Sequence, residues 1–176
     1  GGVVAETMRL IDELRGAGVS PEALAAAAVS PYDGDLAAAY AAYGAALERL
    51  GLRDDHGLLA RARDALRAGR VPGLRPALLV ADGFDQLTSV QLGLLRELAG
   101  RADETLVTLT GEPEVRPAHS RYARTLATLR AALPEARIAY LPPDPGLAPP
   151  LAQIERGLFE PAPPPPADAS GAVFVI

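Results

Sequence analysis

The chain has 176 residues, of which 49 % are hydrophobic and only 5 % aromatic, so we expect a core of closely packed aliphatic side chains. All 17 basic residues are arginine, and cysteine is absent, which excludes disulfides, thiolate metal sites and a cysteine nucleophile. The net charge of −5 argues against DNA binding driven by overall charge. No apolar run reaches membrane-spanning length and no signal peptide is visible, so we expect a cytoplasmic protein without membrane contact.

Residues 1–70 carry the apolar spacing of helices and predict an insertion-like helical segment. Ser20-Pro21-Glu22 combines an N-cap, a proline at the first helical position and an acid in the first turn. Asp55 is the predicted cap of a later helix. Between these two positions the apolar residues form one amphipathic stripe, which consists of Leu36, Tyr40, Tyr43, Leu47 and Leu50. Because the two tyrosines belong to this stripe, we interpret them as packing residues.

Residues 71–141 change to an alternation of strands and helices. The pattern predicts strands at 77–81, 105–110 and 136–141, with helices at 88–99 and 120–133 between them. Such an order is typical of right-handed crossovers, so the predicted fold class is α/β, a parallel sheet with flanking helices plus the N-terminal helical segment. The continuous apolar run at 77–81 is expected to be buried on both faces of the sheet.

Residues 142–176 are predicted to form a linker, a short helix from Leu151 to Leu158, a proline-rich stretch and a terminal strand at 172–176. Because the sequence begins with two glycines and ends in an apolar strand, we expect it to be a piece of a longer protein.

Asp82 is the first candidate for chemistry, because it follows a predicted buried strand. Thr88 and Gln91 then predict a capping box at the start of the next helix. In nucleotide-hydrolysing P-loop proteins a carboxylate at this strand end holds Mg²⁺, and a following glutamate orients the attacking water. Here Gly83 follows, and with no lysine in the chain a Walker A segment is impossible. Both facts favour the alternative, in which Asp82 only ends the strand.

Glu112, at the end of the next predicted strand, is the second candidate. Strand ends at one edge of a parallel sheet converge, so Asp82 and Glu112 are expected to lie close enough to form a nucleotide or Mg²⁺ site. The alternative is that both are ordinary acidic loop residues. The two histidines, His56 and His119, stand alone, which predicts no zinc cluster.

Arg63, Arg67 and Arg70 share one predicted helical face and are the candidate phosphate contacts for DNA. The alternative is a solvated face whose charge is balanced by carboxylates such as Asp64.

The ten residues 82–91, DGFDQLTSVQ, resemble the degenerate motif II of the B subunits of bacterial ATP-dependent helicase–nucleases (the AddB/RexB type). In those subunits a hydrophobic strand is followed by D-G-F and then by a threonine before a helix. The segment 109–114, LTGEPE, stands where superfamily-1 helicases carry G-D-x-x-Q, and 151–159 resembles the helix leading into the second motor-like half. The likeness covers about residues 35 to 176.

The resemblance implies a P-loop helicase-like region without catalytic residues, because Gly83 replaces the catalytic glutamate and Glu114 replaces the γ-phosphate-sensing glutamine. The resemblance also implies a subunit that acts in DNA repair and recombination and has DNA and a motor subunit as partners. ATP and Mg²⁺ would be cofactors of the parent protein. Within it, this chain would be a non-catalytic scaffold for DNA binding and motor contact. The competing hypothesis is an α/β protein-interaction module that binds no nucleic acid.

Overall fold

A computed structural model describes residues 2–111, 116–142 and 148–162. Within them lie seven α-helices: α1 Val3–Ala17, α2 Pro21–Ala27, α3 Pro31–Leu50, α4 Asp55–Arg67, α5 Ser89–Ala99, α6 Ser120–Ala132 and α7 Pro149–Gly157. Two strands, β1 Leu78–Ala81 and β2 Glu104–Val107, and one 3₁₀ turn, Pro117–His119, complete the regular structure of this part. None of these helices is long and apolar enough to cross a membrane.

The helices begin where local capping chemistry dictates. Ser20 accepts from the amide of Ala23, and Pro21 occupies the first position of α2. Ser30 and Asp33 form a full capping box for α3. The predicted cap of α4 is off by one residue, because Asp54 and not Asp55 accepts from the helix amide. An acid at either position favours the helix, but only the residue before the first turn can fold back onto it.

The predicted α/β class is wrong. The two strands pair in parallel, with Val80 opposite Leu106, and they form a two-stranded sheet within the described residues. The predicted third strand at 136–141 is not a strand, and Ile138, Tyr140 and Leu141 are exposed there. A strand needs a neighbour to pair its backbone, so an apolar alternation alone does not create one. The terminal strand at 172–176 lies outside the described residues.

Most packing is between helices. α4 packs against α5, α1 packs against both, and α2 packs against α3. Among the described residues, the buried apolar ones are Ile11, Ala37, Tyr40, Leu66, Ala81, Val90 and Leu95 and, separately on α6, Leu129. The first seven form a small and mostly aliphatic core, as the composition predicts, and helices supply six of them.

The expectation that 77–81 is buried on both faces is also wrong. Ala81 is buried, whereas Leu78 and Val80 on the other face are half-exposed. The run is apolar on both sides, yet the side that carries Leu78 and Val80 is left open to solvent.

The chain divides into two compact units. Unit 1 comprises residues 1–82 and 87–107, and unit 2 comprises residues 83–86 and 108–176. The predicted boundaries at 70 and 141 stay predictions.

Candidate functional site

The end of β1 carries the first predicted site residue. Asp82 lies at the surface immediately after the strand. Gly83 follows with a φ of 77°, in the left-handed region that favours glycine. A Cβ at this position would meet no atom within 4 Å, so backbone conformation and not space requires the glycine. A glutamate, the catalytic base of true helicases, would therefore be strained in this turn.

Asp85, two residues after Gly83, is held by contacts within unit 2. The guanidinium of Arg121 lies 2.5 Å from the carboxylate of Asp85, and the Thr125 hydroxyl donates to the Asp85 carbonyl at 2.8 Å. The hydrogen bond from Arg121 lowers the pKa of the Asp85 carboxyl below its ordinary value. Asp85 therefore acts as a tether for the D-G-F-D turn, and α6 supplies both of its partners.

The predicted capping box at the start of α5 is confirmed. The backbone amide of Gln91 donates to the Thr88 hydroxyl at 3.2 Å, and the backbone amide of Thr88 donates to the side-chain oxygen of Gln91 at 2.9 Å. Two amide groups of the first turn are thereby satisfied, which fixes the start of α5 at Ser89. The strand, turn and helix of the D-G-F-D stretch thus exist as predicted, even though the wider sheet does not.

The proposed carboxylate pair cannot be assembled from the described residues, because Glu112 lies outside them. In the part of the chain that is described, no group of three or more histidines and carboxylates is arranged to hold a metal ion. For an ATP–Mg²⁺ site the residues present do not fit, since the chain contains no lysine for the phosphates and glycine stands at the position of the base.

The three candidate DNA-binding arginines lie in different settings. Arg63 folds its stem over α5, where a Cβ on Gly93 would come within 3.0 Å of it, and pairs with Asp64 at 2.8 Å. Arg67 pairs with Glu97 of α5 at 3.1 Å. Arg70 lies beyond the end of α4 and is exposed. Two of the three therefore have their charge compensated inside unit 1, which weakens them as phosphate ligands.

Arg70 and two further arginines are better placed to bind anions. Arg61, Arg70 and Arg75 are all exposed, and none forms an ion pair with a described residue. Their charge is therefore not compensated by a described carboxylate, as is also the case for Arg53 and Arg96.

No protein-family model, curated protein or solved structure matches this chain.

Sequence reasoning missed one polar cluster in unit 1. Asp54 accepts from the Gly57 amide at 2.7 Å, from Arg15 of α1 at 2.8 Å and from the Tyr43 hydroxyl of α3 at 3.0 Å. Burial raises the pKa of the Asp54 carboxyl, but the Gly57 amide and the side chains of Arg15 and Tyr43 outweigh it and leave the pKa below its ordinary value. The cluster joins three helices.

The sequence feature that could have predicted this cluster is the N-cap residue of α4, Asp54. An aspartate three residues before a helix amide satisfies that amide with one oxygen and keeps further lone pairs for other donors. Of the two tyrosines in the stripe, Tyr40 is buried and its hydroxyl donates to the Val19 carbonyl at 2.8 Å. Tyr43 is only partly buried, and its hydroxyl serves Asp54.

Proposed function

We propose that this chain is a non-catalytic region of a helicase–nuclease subunit of the type it resembles, and that it contributes to DNA binding and to contact with the motor subunit. The observation that supports this is the turn after β1. The residues that resemble the degenerate motif II follow a parallel strand and lie in a glycine turn and at the start of a capped helix, in the order that the resemblance implies. This local support does not depend on the larger sheet, whose prediction is wrong.

The chemistry of the turn supports a non-catalytic role. Hydrolysis of a nucleotide needs a base or water-positioning group and a cation at the phosphates. Position 83 is a glycine in a left-handed conformation, and the chain has no lysine. Binding is therefore the activity proposed for this region, and ATP and Mg²⁺ belong to the parent assembly.

DNA binding in this proposal rests on Arg61, Arg70 and Arg75. Each offers an uncompensated guanidinium to a phosphate, and none would have to break an ion pair with a described residue to do so. With a net charge of −5, the chain would bind weakly and with strong salt dependence.

The test is fluorescence polarisation with labelled single-stranded and duplex oligonucleotides, at about 20 mM and about 200 mM salt. We expect binding at low salt that Arg70→Glu with Arg75→Glu removes. Arg9→Glu is the matched control, because Arg9 is exposed but already paired with Glu6 and Glu13. Each lost phosphate contact should reduce the salt slope by about 0.7 to 0.9. Absence of binding to both oligonucleotides at low salt would overturn the DNA-binding part of the proposal.

A second candidate is a protein-interaction module that binds no nucleic acid. The half-exposed apolar residues of the sheet and the acidic net charge favour it. The same titration separates the two candidates, because the module would leave both oligonucleotides unbound at every salt concentration.

A further inference from the structure

One face of the two-stranded sheet is apolar and open. Leu78, Val80 and Leu106 are exposed by 52 %, 51 % and 51 %. Val80 and Leu106 are opposite each other in the parallel register, and Leu78 lies two residues before Val80 on the same side. We call these three residues the outer sheet face.

Parallel strands are normally covered on both faces, because the strands are rich in aliphatic residues on both sides. The opposite face of this sheet, which includes Ala81, is buried or half-buried. Other exposed apolar residues stand on loops, as Val29 does, or on helices, as Leu58 does, and single exposed apolar side chains need no explanation. Three aliphatic side chains brought together by strand register are a different case, since they form one continuous patch.

The patch carries a negative charge. Glu104 is opposite Leu78 in the register, so its side chain shares the outer sheet face. It is exposed and forms no ion pair with any described residue, and the same holds for Asp103 just before it. A partner on this face would gain by placing a cation against Glu104.

We propose that the outer sheet face docks an amphipathic helix of a protein partner, with aliphatic residues at helical spacing and a lysine or arginine opposite Glu104. A helix is favoured over a strand because the open surface consists of side chains on a face, and helices are what cover the faces of parallel sheets. This inference rests on the motor-contact part of the proposed function and gives that contact its chemistry.

The probe is a pair of labelled synthetic helical peptides with the same leucine stripe, one with lysine and one with glutamate beside it. Fluorescence polarisation should show binding of the lysine peptide and little binding of the glutamate peptide. The double variant Val80→Thr with Leu106→Thr places β-branched residues, which suit strands, at both positions and should weaken binding about ten-fold or more. Val29→Thr, at an exposed position between α2 and α3, is the matched control and should leave binding unchanged.

Glu104→Lys provides a second measurement that does not depend on removing apolar residues. It should reverse the preference, so that the glutamate peptide binds more tightly than the lysine peptide. Equal binding by the double variant and the unaltered chain, or no reversal with Glu104→Lys, would overturn the proposal. Self-association in analytical ultracentrifugation that the double variant abolishes would also overturn it, because a second copy would then be the occupant.

The outcome is separable from that of the DNA titration. The double variant should bind oligonucleotides as the unaltered chain does, since the exposed arginines are unchanged. Peptide binding without DNA binding would keep this inference and reject the DNA-binding part of the proposed function. DNA binding without peptide binding would do the opposite.

Discussion

The two compact units of this chain bury different kinds of residue. In unit 1 the helices α1, α4 and α5 enclose aliphatic side chains such as Ile11, Leu66 and Leu95. In the described residues of unit 2, Thr125 and Leu129 are the buried ones. Unit 1 is therefore stabilised mainly by removal of apolar surface from water, which does not depend on the ionisation of any side chain.

Unit 2 relies instead on arginines that join distant parts of its sequence. Arg116 pairs with Glu155 and Glu160 and donates to the carbonyls of Glu155 and Arg156 at the end of α7. Arg121 in turn holds Asp85. Such anchors specify which segments meet, but they contribute little stability where water reaches them. Unit 1 has such arginine contacts as well, from Arg15 to Asp54 and from Arg67 to Glu97, but it adds them to a larger set of buried aliphatic residues. The difference between the units is therefore how much apolar packing accompanies the ion pairs.

The largest expected effect is the loss of an apolar side chain from unit 1. Leu66→Ala should lower the free energy of unfolding by about 2 to 5 kcal/mol, because it leaves a cavity where α4 faces the core. Urea denaturation followed by circular dichroism measures this. Leu66 is 4 % exposed, and Leu58 on the same helix is 60 % exposed, so Leu58→Ala is the matched control. Its cost should stay within about 0.5 kcal/mol. Similar costs for the two variants would mean that α4 does not pack as described.

A smaller effect is expected from Asp54, the centre of the polar cluster that joins three helices of unit 1. Asp54→Ala removes the helix cap and the partner of Arg15 and Tyr43, and should cost about 1 to 3 kcal/mol in urea denaturation. Asp54→Asn keeps an oxygen for the Gly57 amide and loses the charge, so it should cost less. If the two variants cost the same, the ion pair and not the cap would be the main contribution.

The pH dependence of Asp54 adds a signed test of the same centre. The pKa of Asp54 is lowered in the folded chain, so its contribution to stability is present above the unfolded pKa of about 3.9 and is lost as pH falls through the folded value. Acid titration of the unaltered chain should show this loss, and Asp54→Ala should lack this component.

The features that sequence predicted well are those that depend on neighbours in the chain. The helix starts at Ser20 and Thr88 follow from a side-chain oxygen and an amide three residues later, and both are confirmed. The parallel pairing of the first two strands is likewise confirmed, since a strand, a helix and a strand in succession favour it. The one-residue error at Asp54 shows the limit, because Asp54 and Asp55 suit the helix start almost equally.

The features that failed depend on residues far away in the chain. Ile138 and Tyr140 have the alternation of a strand, but nothing in their own sequence shows that no partner strand pairs with them. Leu78 and Val80 have the apolarity of a buried strand, but their exposure depends on what the rest of the molecule places over them. Glu112, half of the proposed carboxylate pair, lies outside the described residues, and its role stays a prediction.

The smallest expected effect belongs to the polar anchoring of unit 2. Asp85 is held by Arg121 across a half-exposed surface, and this hydrogen bond lowers the pKa of its carboxyl. Arg121→Ala should return the pKa of Asp85 toward its ordinary value, which an NMR titration of the carboxyl resonance measures. High salt should move the pKa of the unaltered chain in the same direction by a smaller amount.

Arg124→Ala is the matched control, because Arg124 lies on the same helix, is exposed and forms no ion pair with a described residue. It should leave the pKa of Asp85 unchanged. Since the folded pKa is the lower one, the ion pair stabilises unit 2 above the unfolded pKa and is lost as pH falls through the folded value. Acid should therefore lower the hydrogen-exchange protection factors, which are corrected for the intrinsic pH dependence of exchange, at residues 83–86 of the unaltered chain. Arg121→Ala should show the lowered protection factors already at neutral pH. Equal shifts of the Asp85 pKa in the two arginine variants would mean that the general positive charge of α6, and not the contact with Arg121, lowers this pKa. The specific ion pair assigned to unit 2 would then be wrong.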